Sequence, residues 1–160
     1  MNELMTIGAI ALAVTPVVAV LKIVQRDEDN PPASFVKAPP PRVYAAIRKA
    51  LTGFYLGEYH YRIVTADPTQ LNLRAVMEWR ERKPRELSLL YPQGYEFHQL
   101  VLDVRVGIDT ESGKSKVLFK WTSLGFLKPA RMHLVQKATK QMLQEELSRI
   151  EAIKTQENLR

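Results

Sequence analysis

Cysteine is absent from the 160 residues, which excludes disulfides, thiolate metal sites and cysteine nucleophiles. Histidine is scarce. His60, His98 and His133 stand far apart, with no HxxxH pair and no His–carboxylate spacing of the kind that builds a metal centre. They read as exposed or capped side chains, and neither a metal nor a cofactor is expected. No RNP-like, helix-turn-helix or finger signature is present, so nucleic acid is not an expected partner. Charge of either sign is missing from Leu4 to Leu21, and no Lys or Arg precedes Lys22.

That uncharged run reads LMTIGAIALAVTPVVAVL, which as a helix would be about 27 Å long against a hydrocarbon core of about 30 Å. Only Thr6 and Thr15 interrupt it, so it has no polar face, and Pro16 bends a lipid-embedded helix without breaking it. A cleavable signal wants a positive start, where Met1, Asn2 and Glu3 supply an acid instead. Residues 1–24 are therefore expected to form an N-terminal transmembrane anchor. Lys22 and Arg26 follow the span, so the positive-inside rule puts the rest of this single-pass membrane protein on the cytoplasmic side. Residues 25–32 are charged and then proline-bearing, a short stiff linker.

The remaining residues, 33–157, suffice for one core. A composition of 46% hydrophobic and 25% charged is ordinary for a globular domain. The formal charge of +6 is uneven, because beyond Asp29 the chain carries 21 bases and 13 acids, a net +8. Such an excess favours anionic partners without choosing among them.

Alternation and helical spacing then divide the domain into elements. Ala33–Ala38 is a strand candidate ending at Pro39-Pro40-Pro41, after which Val43, Ile47, Leu51 and Phe54 recur at helical spacing. Tyr59, Tyr61 and Ile63 alternate with polar residues, turn at Ala66–Thr69, and pair with the alternating run Leu71 to Trp79. Between Glu81 and Tyr95, prolines leave only Glu86–Tyr91 as a short strand candidate. Leu100, Leu102, Val104, Val106 and Ile108 form the dry side of a strand over Gln99–Ile108, which pairs across Asp109–Gly113 with Val117, Phe119 and Trp121. From Pro129 a long terminal helix is expected, with Met132, Val135, Ala138, Met142, Leu143, Leu147, Ile150 and Ile153 on its apolar side. The expected fold class is α+β, an antiparallel curved sheet packed on a long C-terminal helix.

With that order in hand, Ser34-Phe35-Val36-Lys37-Ala38-Pro39-Pro40-Pro41-Arg42-Val43-Tyr44-Ala45-Ala46-Ile47 resembles the opening of the START-like, helix-grip superfamily of polyketide cyclase, Bet v 1 and lipid-transfer domains. Those domains often enter their first helix through an Ala-Pro, two further residues and Val-Tyr or Val-Trp. The resemblance implies a sheet gripping the last helix, often around an apolar cavity. It implies no particular catalytic residue.

The predicted inner face of the strands holds no histidine and no carboxylate, so neither acid–base nor nucleophilic catalysis has a group to work with there, tyrosine hydroxyls aside. A non-enzymatic domain is expected. Its first reading is a lipid or other apolar ligand held between sheet and helix by Tyr61, Leu73, Met77, Trp79, Leu102, Val104, Phe119, Trp121, Val135 and Met142. Its second is a filled-core accessory or assembly subunit of a membrane complex, meeting its partner through Arg74, Glu78, Asp103, Arg105, Lys116 and Lys120 on the outer sheet face. Bulky Met77, Trp79, Phe119 and Trp121 count toward the second. Two basic clusters differ in weight. Arg80, Arg82, Lys83 and Arg85 sit among Glu78, Glu81 and Glu86, which reads as a solvated ion-paired loop, whereas Lys128, Arg131, Lys137 and Lys140 have no intervening acid and, although not all on one helical face, would give at most about 4 kcal/mol at an anionic leaflet.

Overall fold

Proline fixes where the domain starts to coil. In the computed structural model, which describes residues 30–87, 89–90, 92–123 and 130–157, a short strand β1 (Ser34–Val36) runs into Pro39, whose carbonyl accepts from Arg42 N and Val43 N at 3.0 and 3.1 Å. Helix α1 (Pro40–Thr52) therefore begins with prolines in its first turn, where no backbone N–H is needed. Val43, Tyr44, Ile47 and Leu51 form its buried stripe. The expected membrane span over residues 1–24 lies outside the described residues, as does Lys128. Among the described residues no helix is long and apolar enough to cross a membrane.

Strands β2 (Tyr55–Leu56) and β3 (Tyr59–His60) form a small two-stranded sheet of their own. This corrects the expectation of one strand from Tyr59 through Ile63. Gly57, with φ of 63°, opens a two-residue turn that folds Tyr59 back onto Leu56 before the chain reaches the main sheet.

The main sheet adds β4 (Arg62–Asp67), β5 (Asn72–Arg82), β6 (Tyr95–Ile108) and β7 (Ser115–Ser123) in the order β1-β7-β6-β5-β4, with every pair antiparallel. The turn between β4 and β5 falls at Pro68–Leu71, two residues later than expected, where Asp67 Oδ1 accepts from Thr69 N and Gln70 N at 2.9 and 3.0 Å. The turn between β6 and β7 is closed by Asp109, whose Oδ2 accepts from both the N–H and the hydroxyl of Ser112. Those bonds lower the Asp109 pKa, because they favour the charged carboxylate.

Cross-strand register then assembles the dry face. Ala75, Leu102 and Trp121 lie side by side, as do Leu73, Val104 and Phe119. Helix α2 (Ala130–Glu157) closes this face with Met132, Val135, Leu143, Leu147 and Ile150, joining α1 in one continuous core. The protein is thus α+β, an antiparallel sheet packed against its C-terminal helix. Two apolar positions depart from expectation: Ile108 and Ile153 are both exposed. Ile108 ends β6 past the cover of the helices, and Ile153 lies one turn beyond the buried Ile150.

A buried hydroxyl chain ties sheet to helix. Thr139 donates to the Val135 carbonyl at 2.8 Å, so its oxygen is left to accept from Tyr61 OH at 3.1 Å. Burial raises the Tyr61 pKa above 10.0, opposed by Thr139 and the nearby Trp121 indole. A raised folded-state value means that this contribution to stability is complete below about pH 10 and is lost as pH rises through the folded-state pKa. Denaturant midpoints measured at pH 8 and pH 11 are expected to fall for the native protein. Tyr61→Phe should lose about 1 kcal/mol at pH 8 from the missing hydrogen bond and then fall less steeply; an unchanged alkaline slope contradicts this assignment.

Candidate functional site

Nine of the ten residues predicted to line an apolar site are buried in the core between sheet and helices. Leu102 is 0% exposed, and Met77, Trp121 and Val135 are each 1%. A void large enough for a guest would leave its lining side chains accessible surface. Tyr61, Leu73, Trp79, Val104 and Phe119 are buried in the same core, and Met142 packs half-buried against it. The rings contact one another: Phe119 lies 6.0 Å from Trp121, and Trp79 meets Tyr59 edge-on at 5.5 Å.

The inner face does contain ionisable groups, contrary to the sequence reading. Strands β5 and β6 extend farther than expected, to Arg82 and back from Tyr95, as a two-stranded arm with Glu81 opposite Glu96 and Trp79 opposite His98. Period two carries Glu96 and His98 onto the face of Leu100. The signal was present in the sequence as Glu96-x-His98-x-Leu100, masked by Pro92 and Gly94 just before it. Glu86–Tyr91 is not a strand at the residues described; Arg85–Leu87 is a 3₁₀ turn and Leu89–Leu90 a turn. Pro84 and Pro92 bracket this tip, and neither can donate to a ladder.

His98 is buried, stacked 5.4 Å from Trp79, with Nε2 at 3.2 Å from Glu81 and 3.4 Å from Glu96. His60 is exposed and His133 half-buried. Lys83 Nζ stands 2.5 Å from Glu96 and 3.4 Å from Glu81, on the same carboxylate oxygens. The hydrogen bond to Glu96, above all, raises the Lys83 pKa. Glu81, Glu96 and His98 hold three donor atoms within 4.8 Å of one another, residue types that bind divalent metals. Here the ammonium of Lys83 already supplies the positive charge between the two carboxylates. The cluster therefore reads as an internal ion-pair network that locks the inner side of the arm.

The outer face is different. Cross-strand partners share a face, so Arg62, Arg74, Arg80, Arg82, Arg105, Lys116 and Lys120 stand on one surface with Asp67, Glu78 and Asp103, an excess of four positive charges among the described strand residues. Arg74 grips Asp103 through Nε at 2.7 Å and a second nitrogen at 3.1 Å. That contact raises the Arg74 pKa. Glu78 accepts from Gln99 at 2.8 Å and lies 3.6 Å from Arg62. Lys116 sits 5.9 Å over the Phe35 ring. Among the described residues no ion pair engages Arg105 or Lys120, and both line an open groove of about 930 Å³ with Asp67, Arg74, Asp103, Asn30 and Pro31.

The predicted lipid-facing bases of α2 do not gather. Arg131 hydrogen-bonds Tyr59 OH at 3.3 Å, whereas Lys140 lies 5.3 Å over Trp121. At 100° per residue these two are half a turn apart. Tyr59, more than the acids around it, raises the Arg131 pKa. Lys137 is exposed.

No protein-family model matches this sequence, and no match is found among curated proteins.

Proposed function

We propose that the protein is a membrane-tethered, non-enzymatic interaction module, an accessory or assembly subunit that presents its outer sheet face to an acidic partner in a membrane complex. The observation that carries this reading is the contrast between the two faces. The inner one is spent on its own packing, and the outer one holds Arg105 and Lys120 in a groove with no ion-pair partner among the described residues. Arg74 and Asp103 pair with each other in that groove, giving a fixed polar floor on which a partner carboxylate meets the two remaining cations. The uncharged run Leu4–Leu21 supports the tether. The succession of strand, helix, antiparallel strands and closing helix suits the helix-grip resemblance, with a sheet used as a scaffold and not as a container.

A photo-crosslinker placed at the exposed Leu118, which lines the groove beside Arg105, in the full chain and activated in the protein's own membranes, tests this. One discrete crosslinked product is expected, lost when Arg105→Glu and Lys120→Glu are combined, while the unfolding free energy stays within about 0.5 kcal/mol of native, as surface changes do. A product that survives these reversals removes the outer face from the interface.

One observation favours the other reading, a lipid or similar guest between sheet and helix. The indole N–H of Trp79 is buried, with no hydrogen-bond acceptor among the described residues, and a guest carbonyl would satisfy it. Native mass spectrometry of detergent-purified protein separates the two readings: a stoichiometric apolar molecule overturns the filled core, and its absence removes the guest.

A further inference from the structure

Strand alternation sorts the charges of the β5–β6 arm. Glu81, Glu96 and His98 turn to its inner side with Lys83, while Arg80 stands opposite Phe97 and Arg82 opposite Tyr95 on the outer side. The sequence places these bases among acids, which suggested mutual neutralisation. In three dimensions Glu81 and Glu96 are taken by Lys83 and His98, and Glu78 by Gln99 and Arg62. The arginines of the outer side are left with aromatic neighbours that are half exposed. At the tip, Leu89 is 94% and Leu90 73% exposed, next to the exposed Arg85 and Glu86.

Apolar side chains at the tip, with aromatic and guanidinium groups one layer behind, reproduce the order of a bilayer surface: acyl boundary, interfacial aromatics, phosphate. A single-stranded nucleic acid would use the rings and arginines but leaves no role for two projecting leucines. We propose that the tip of this arm docks on an anionic leaflet, with Leu89 and Leu90 entering the acyl boundary, Tyr95 and Phe97 at headgroup depth, and Arg80, Arg82 and Arg85 on lipid phosphates. The inference rests on the membrane-tethered reading above and adds an orientation to it. Arg74 lies eight residues along β5 from Arg82, about 27 Å at strand rise, so a standing arm holds the outer groove at that height.

The lack of cysteine allows a single labelling site. Leu90→Cys carrying a polarity-sensitive fluorophore, on the full chain in phosphatidylserine-containing vesicles, is expected to shift to the blue and to resist iodide quenching several-fold better than in phosphatidylcholine vesicles. The same label at Glu111→Cys, in the β6–β7 turn, should be quenched equally in both. Replacing Arg80, Arg82 and Arg85 together by Gln should lower the docked population on the order of a hundredfold. Raising salt from about 0.1 to 1 M, which shortens the screening length from about 10 to 3 Å, should release the tip. Equal quenching of the Leu90 label in both lipids, or protection that survives the three substitutions, overturns the proposal. So does protection seen only when other membrane proteins are present, which would assign the tip to a protein contact. The tether is judged separately, by whether the chain stays in vesicles through an alkaline carbonate wash, so either reading can fail without the other.

Discussion

Leu102→Asp leaves no folded domain. Leu102 lies at the middle of β6, between Ala75 on β5 and Trp121 on β7, and is 0% exposed. The substitution forfeits roughly 1.5–3 kcal/mol of side-chain burial. It also sets a carboxyl group among Ala75, Trp121 and the residues of α2, at a cost of several kcal/mol whether the group stays charged or binds a proton. Together these losses reach the roughly 5–15 kcal/mol by which an ordinary domain is stable. Near-ultraviolet circular dichroism should be flat and the denaturant transition should lose its cooperativity. Leu102→Met, which keeps volume and polarity, should cost less than about 1.5 kcal/mol. Val101→Asp, one residue along and on the other face, should fold. A cooperative transition in Leu102→Asp would mean that the faces of β6 are reversed.

The faces were legible in the sequence because side-chain alternation has a strict period and one wet side leaves its mark. Leu73, Ala75, Met77 and Trp79 on β5, and Val117, Phe119 and Trp121 on β7, needed no tertiary information. What the sequence obscured was the extent of the strands. Proline and glycine near the arm signalled a loop, although period two continued through Glu96 and His98. Reading the residues 81–95 as a loop let acids and bases there cancel on paper, whereas the pleat separates them by face. The helix face was legible at Met132, Val135, Leu143, Leu147 and Ile150, but Thr139 and Gln136, both buried, carry polar side chains that apolar periodicity passes over. Thr139 finds its place by donating within its own helix and accepting from Tyr61. The groove on the outer face was legible only as a set of charges. Which of them pair, Arg74 with Asp103, and which find no partner among the described residues, Arg105 and Lys120, depends on cross-strand geometry.

Trp121→Ala separates a filled core from a container. The indole is 1% exposed, lies beside Phe119 and under Lys140, and borders the Tyr61 hydroxyl. Truncation of a buried Trp costs about 3–5 kcal/mol, combining lost transfer energy with the cavity left behind. For a domain of this size that lowers the melting temperature on the order of 10 °C. Because the cavity walls include Leu102, Phe119 and α2 core residues, the vacated space should be largely apolar, and apolar cavities of about 150 Å³ stay dry and admit benzene. Indole or benzene should therefore bind the variant and recover part of its melting temperature, while leaving the native protein unchanged. The reasoning runs through one comparison. If the native domain already held a guest, apolar probes would compete for that space, and native stability would respond to them as well. If the domain is a filled scaffold, only the variant responds, and the functional chemistry is left to the outer face, where Arg105 and Lys120 have no ion-pair partner among the described residues.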